Sequence, residues 1–218
     1  MGFFSKMFSS VKGTSAEAPA PIMVTIMPVT NDTDHNYYFV KGCDFIKPYM
    51  RLAETPKKST KSDEARADII RGIDLLNAVV VYNKDNWAAW WTIGKGYQAL
   101  DEADKACDAF GKSYAIQRQN PDVAREYMVE CLNLGRAKEA VPVAEHAISL
   151  SPNNAGLNAN LALAYTIAGQ LADAQSAINK SLQIDPSDKI SQNLRRIIQE
   201  IIDGKRPQPH NMRDLQRR

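Results

Sequence analysis

Three histidines and three cysteines are the residues of this 218-residue chain best suited to proton transfer, nucleophilic attack or metal ligation. Their spacing supports none of these. His35 follows Asp32 and Asp34 in a turn-like Asn-Asp-Thr-Asp-His-Asn string, but no further ligands stand at fixed separation, so no metal is expected. His146 falls in a polar column of a helix and reads as a surface residue, while His210 lies in the basic C-terminal tail. Cys43, Cys107 and Cys131 are far apart, odd in number and outside any CxxC pair. They read as small packing residues of a reducing compartment rather than a disulfide framework or zinc site. No GxSxG, HExxH, P-loop or dinucleotide fingerprint is present, so no catalytic residue and no cofactor are expected. A formal net charge of +2 gives no electrostatic case for nucleic acid.

With chemistry absent, the elements carry the reading. At 44% hydrophobic residues the chain can build a substantial core, yet no run of eighteen apolar residues suggests a membrane span. Lys6 and the serines after it interrupt any signal-peptide core, which makes the cytoplasm the expected compartment. Residues 1–35 read as a flexible extension. Within it, Phe3, Phe4, Met7, Phe8 and Val11 have the spacing of a short amphipathic helix able to touch a membrane surface weakly, and Ile22 to Met27 form a β-prone run. Residues 36–82 read as a helical unit: an apolar segment disturbed by Pro48, a polar insertion at 54–62, and a helix from Asp63 with Ile69, Ile70, Ile73, Leu76, Val79 and Val80 on one face.

From residue 83 to 186 the chain repeats. Ala106, Ala140 and Ala174 stand at equal intervals. The same interval separates Ile93, Tyr127 and Leu161; Tyr97, Cys131 and Tyr165; Phe110, Ala144 and Ile178; Ser113, Ala147 and Ser181; and Ile116, Leu150 and Ile184. Gly135 and Gly169 share a column after the first helix of a unit, where a left-handed residue is wanted, and Pro152 and Pro186 stop the second helix. The first unit departs, with Asp101 in the glycine column and Arg118 in the proline column, so its outgoing connection is expected to differ. No such helix pair buries its apolar face alone, so successive pairs must stack. Residues 187–203 carry Ile190, Leu194, Ile197, Ile198 and Ile201 on one stripe and read as a capping helix. Residues 204–218 read as a basic disordered tail.

The run Trp90-x-x-Ile93-Gly94-x-x-Tyr97, followed by Ala106 and Phe110, resembles the tetratricopeptide repeat (TPR) signature. The resemblance covers about residues 87–186. It implies an all-α solenoid: three clear helix-turn-helix repeats, a degenerate N-terminal unit and a C-terminal cap. It also implies that first helices line a concave groove, with Trp91, Lys95 and Gln98 from one unit, Arg125, Glu126, Val129, Leu132 and Asn133 from the next, and Asn160, Leu163, Thr166 and Ile167 from the third. In this register Trp90 is a core residue and Trp91 a groove residue.

The expected groove is a mostly apolar strip rimmed by charge, suited to an amphipathic helix or extended apolar peptide. The chain's own segments are the competing occupants. Family members that grip acidic chain termini use a clamp of Lys, Asn and Arg. The five clamp columns here hold Trp91, Lys95, Glu126, Gly156 and Asn160, so the clamp is absent. The function implied is that of a protein-interaction scaffold. The alternative is a dedicated chaperone for one client, of the secretion-chaperone kind, which could form a homodimer through its N-terminal region.

Overall fold

The computed structural model describes residues 26–50, 60 and 62–216. The amphipathic stretch 1–12, most of the 22–27 run and most of the polar insertion lie outside the described residues. Ile26 and Met27 carry no regular structure, and the Met27 amide donates to Tyr38 Oη at 3.1 Å. Among the described residues the fold is all helical: α1 (Asp32–Ile46), a 3₁₀ turn (Lys47–Tyr49), α2 (Asp63–Tyr82), α3 (Trp87–Ala99), α4 (Ala103–Ile116), α5 (Pro121–Asn133), α6 (Ala137–Leu150), α7 (Ala155–Ala168), α8 (Leu171–Ile184), α9 (Lys189–Ile202) and α10 (Met212–Gln216). Each helix from α1 to α9 packs on the next, the pattern of a solenoid.

The period of the sequence is visible in the helix boundaries. α3, α5, α7 and α9 begin at Trp87, Pro121, Ala155 and Lys189, and α4, α6 and α8 begin at Ala103, Ala137 and Leu171. The cap therefore occupies the place of a fourth first helix. α2 ends at Tyr82, one full period before α4 ends at Ile116, so it is the second helix of the N-terminal unit. Its partner α1 starts at Asp32, inside the stretch expected to be a flexible extension. Asn31 accepts from the Asp34 amide and fixes that start. α1 and α2 cross where a Cβ on Gly72 would meet the Gly42 carbonyl oxygen at 2.8 Å, so only glycine allows this approach.

A column that the periodicity reading passed over sets the first helices. Asn86, Asn120, Asn154 and Asp188 stand at N-cap positions one period apart, each side chain accepting one or two amides of the opening turn. Such caps contribute about 1 kcal/mol each. The connection after α4 was expected to differ because Arg118 replaces proline. Instead it spans residues 117–120, matching 151–154 and 185–188, because Pro121 occupies the first helical position, where a missing amide costs nothing. The serine column also has a purpose: Ser113 Oγ donates to the Trp87 carbonyl and Ser181 Oγ to the Ala155 carbonyl, both at 2.9 Å. Gly135 (φ 73°) and Gly169 (φ 78°) take the left-handed turn expected of them, and Asp101 adopts the same geometry at φ 60°.

Two expectations at the C-terminus are corrected. Leu194, Ile197, Ile198 and Ile201 are buried under α9, but Ile190 is 78% exposed, because the first-turn residue that meets α8 is its neighbour Ser191, 3.0 Å from Ser181. The tail is not disordered over residues 204–216. It leaves α9 through left-handed Gly204, turns back across the molecule and ends in α10, which packs on α5.

Candidate peptide-binding face

The first helices lie side by side: α1 touches α3, α5 touches α7, and α7 touches α9, which makes them the inner wall of the solenoid. Of the residues expected to line a groove there, Gln98, Arg125, Val129, Asn133, Asn160 and Leu163 are half-buried. Trp91, Lys95, Leu132, Thr166 and Ile167 are buried instead, Leu132 completely. The open apolar strip is thus reduced to Val129 and Leu163, on the middle of α5 and α7.

Trp91 is buried beside Lys95, and α1 lies across the neighbouring Thr92 and Gly96 side of α3. Cys43 Sγ is 3.9 Å from Thr92 Oγ1, and a Cβ on Gly96 would sit 3.2 Å from the Ile46 side chain. The repeat period does not reveal this cover, since the insertion displaces α1 from its expected place. Trp90, assigned to the core, is half-buried on the outer side. Its Nε1 donates to the Lys84 carbonyl at 2.9 Å and Lys112 Nζ stands 4.2 Å from its ring centre.

Between α3 and α5 the wall holds a buried polar network. Lys95 Nζ sits 2.6 Å from Glu126 Oε2 and 5.2 Å from the centre of the Trp91 ring. Gln98 Nε2 donates to Glu130 Oε1 at 2.5 Å, and Asn133 Nδ2 to Glu130 Oε2 at 3.0 Å. Arg125 approaches Glu126 from the rim at 3.2 Å and Asp122 at 3.3 Å. Burial pulls the Lys95 ammonium below its ordinary range, and the Glu126 carboxylate opposes that pull. Lys95 is therefore committed to Glu126, which leaves Arg125 as the half-exposed cation of the expected set.

The α5–α7 part of the wall is closed differently. Gln208 Nε2 donates at 2.6 Å to the carbonyl of Thr166, in the last turn of α7, which also accepts from the Gly169 cap amide at 3.2 Å. The His210 carbonyl lies where a Cβ on Gly135 would come within 3.0 Å of it. Pro209 is buried, and Met212 and Leu215 pack on the core cluster that includes Leu132 and Ile167. Arg206 anchors the turn through Glu200 at 3.1 Å and the Leu215 carbonyl at 3.2 Å. Asn211 caps α10 by accepting from the Arg213 and Asp214 amides, while Asp214 accepts from the His210 amide. These tail residues were missed, yet Asn211-x-x-Asp214 followed by Leu215 is a cap signal preceding an apolar position.

The histidines and cysteines have structural surroundings. His35 Nε2 is 3.2 Å from Asn86 Nδ2, and His146, half-buried rather than solvated, holds Tyr114 Oη at 2.8 Å. Burial pushes the Cys43 thiol up to about 12. Cys107 and Cys131 meet across α4 and α5 with sulfurs 3.5 Å apart. That contact and burial push the Cys107 thiol well above its ordinary range. Among the described residues no three metal-ligating side chains converge, and no helix is long and apolar enough to cross a membrane.

Comparison with known proteins agrees with this architecture. Residues 132–198 match the tetratricopeptide repeat family model. No curated protein matches the sequence. Among solved structures, MamA from Desulfovibrio magneticus RS-1 (residues 41 to its end) superposes with a TM-score of 0.64 at 16% identity, covering 80% of this chain and 88% of that one. YrrB, described as a TPR protein with an unusual peptide-binding site, gives 0.57 at 16% identity, over 66% of this chain and 74% of its own. The first TPR of Spaghetti (RPAP3), bound to the HSP90 peptide SRMEEVD, gives 0.51 at 16% identity, over 56% and 96%. At such identities the likeness is one of fold.

Proposed function

We propose that this chain, a tetratricopeptide-repeat protein, is a protein-interaction scaffold that holds a partner polypeptide on the inner wall formed by α3, α5 and α7. The observation that carries the reading is the wall's makeup. Half-exposed Val129 and Leu163 lie at its centre, flanked by half-exposed Gln98, Arg125, Asn133 and Asn160 on neighbouring turns. An apolar centre with a polar rim suits one face of an amphipathic segment. The solved relatives described with peptides or a peptide-binding site support the same use of the fold.

Apolar burial should dominate affinity, since Lys95 is engaged within the wall. Capture of partner polypeptides by the full chain should therefore survive about 1 M salt, where the screening length is about 3 Å. The pair Val129→Glu with Leu163→Glu should remove capture while the protein still melts cooperatively. As a positional check, a photo-crosslinking residue at Asn160 should label partners, and one at exposed Lys180 on α8 should not. Equal labelling from both positions, or undiminished capture by a folded double variant, overturns the reading.

A further inference from the structure

We propose that the C-terminal strap, residues 206–216, is a tethered occupant of the α5–α7 end of the inner wall. A partner segment of the same chemistry binds there by displacing it. This inference rests on the wall being the binding face and specifies what that face takes.

The strap is held as a bound peptide is held. It runs across the C-terminal end of α7 and then that of α5, donating a glutamine amide to the Thr166 carbonyl and laying its own carbonyl against Gly135. Beyond this extended stretch, α10 supplies two apolar anchors three residues apart, Met212 and Leu215, on one face of a single helical turn. These are two ingredients of peptide recognition: a hydrogen bond to the wall's main chain, here donated by the Gln208 side chain, and apolar anchors for affinity.

The strap also carries marks of a removable element. α10 is five residues long, far below the length at which a helix persists unaided, so its helicity depends on the docking surface. Met212 and Leu215 stay only partly buried, and Arg213 and His210 face solvent. The α1–α9 stack does not pass through the strap, because every adjacent pair in it packs without α10. Opening the strap therefore exposes a surface without dismantling the solenoid. The matching partner has an extended run bearing glutamine and proline, then one helical turn with two aliphatic or thioether side chains at i and i+3.

The test uses a fluorescent peptide of residues 205–216 added in trans to the full chain. In the wild type the tethered copy competes at an effective concentration of order millimolar, which masks the site. Met212→Asp with Leu215→Asp disables the tethered copy without altering the wall. This variant should bind the peptide at least about tenfold more tightly than the wild type. Equal binding by both proteins, or binding by neither, overturns the proposal. Amide hydrogen exchange on the wild type covers the case in which the variant fails to fold. Amides of residues 210–216 should exchange well before those of α7, and should slow when partner release lets the strap close. Exchange of strap and α7 at one common rate would make the strap an inseparable part of the core and overturn the proposal. Failure here, with capture still lost in the Val129→Glu/Leu163→Glu protein, removes only the strap and leaves the scaffold reading standing.

Discussion

The two halves of the inner wall are closed by different means. Between α3 and α5 the closure is side chain on side chain: Lys95 pairs with Glu126, and Gln98 and Asn133 hold Glu130, all within adjacent repeats. Between α5 and α7 the closure is a segment of chain from beyond the cap, with Gln208 reaching back to Thr166 in α7. The first arrangement is fixed, because separating a buried ion pair leaves a charge without water or partner. The second is exchangeable, because another peptide can replace each of its contacts. A repeat fold that looks uniform along its axis thus carries one permanent closure and one replaceable one.

Substitutions can break or sharpen that contrast. The largest effect is expected at Trp91, which lies against Lys95 at 1% exposure. Trp91→Ala should cost about 3–5 kcal/mol in denaturant melts, as for large buried aromatics, and Trp90→Ala clearly less because Trp90 is half-buried. Equal losses would mean that Trp91 is no more deeply packed than Trp90.

Next comes Lys95→Met, which leaves Glu126 without its inner partner. A loss of about 2–3 kcal/mol is expected, at the lower edge for breaking a buried pair, since Arg125 still faces the carboxylate. Adding Glu126→Leu should recover most of that loss, because an apolar pair of similar volume has no charge to desolvate. Additive losses in the double-mutant cycle would deny the coupling that makes this half permanent.

A smaller difference separates two glycines with nearly the same φ. Gly135→Ala and Gly169→Ala both meet the left-handed penalty, about 1–2 kcal/mol for a residue with a Cβ. Only at Gly135 does the new methyl also meet a backbone atom of the strap, the His210 carbonyl oxygen at 3.0 Å. At Gly169 the nearest atom is Gln208 Cδ at 3.8 Å. Gly135→Ala should therefore cost more, and it should not raise the trans peptide's affinity, because the same methyl meets the same carbonyl of the added peptide. The smallest effect is a gain. Asp101 occupies the same turn at φ 60°, so Asp101→Gly should raise stability by up to about 1 kcal/mol, read as an upward shift of the melting midpoint.

What the sequence determined by itself was everything that recurs. The alanine, tyrosine and phenylalanine columns, the turn glycines and the terminating prolines are local signals repeated once per period, and each is satisfied within a unit or by its neighbour. Helix order, repeat register and the assignment of 63–82 to the N-terminal unit follow from them. The asparagine caps carried the same period and were equally legible. Only the tertiary structure decided which inner-wall residues are exposed. The cover over Thr92 and Gly96 depends on α1, displaced by an insertion without periodicity, and the closure at Thr166 and Gly135 depends on a strap that occurs once in the chain. A repeat pattern states what each unit does to the next. It carries no information about non-repeating segments that fold back from either end, because their contacts are set by three-dimensional proximity rather than by spacing along the chain.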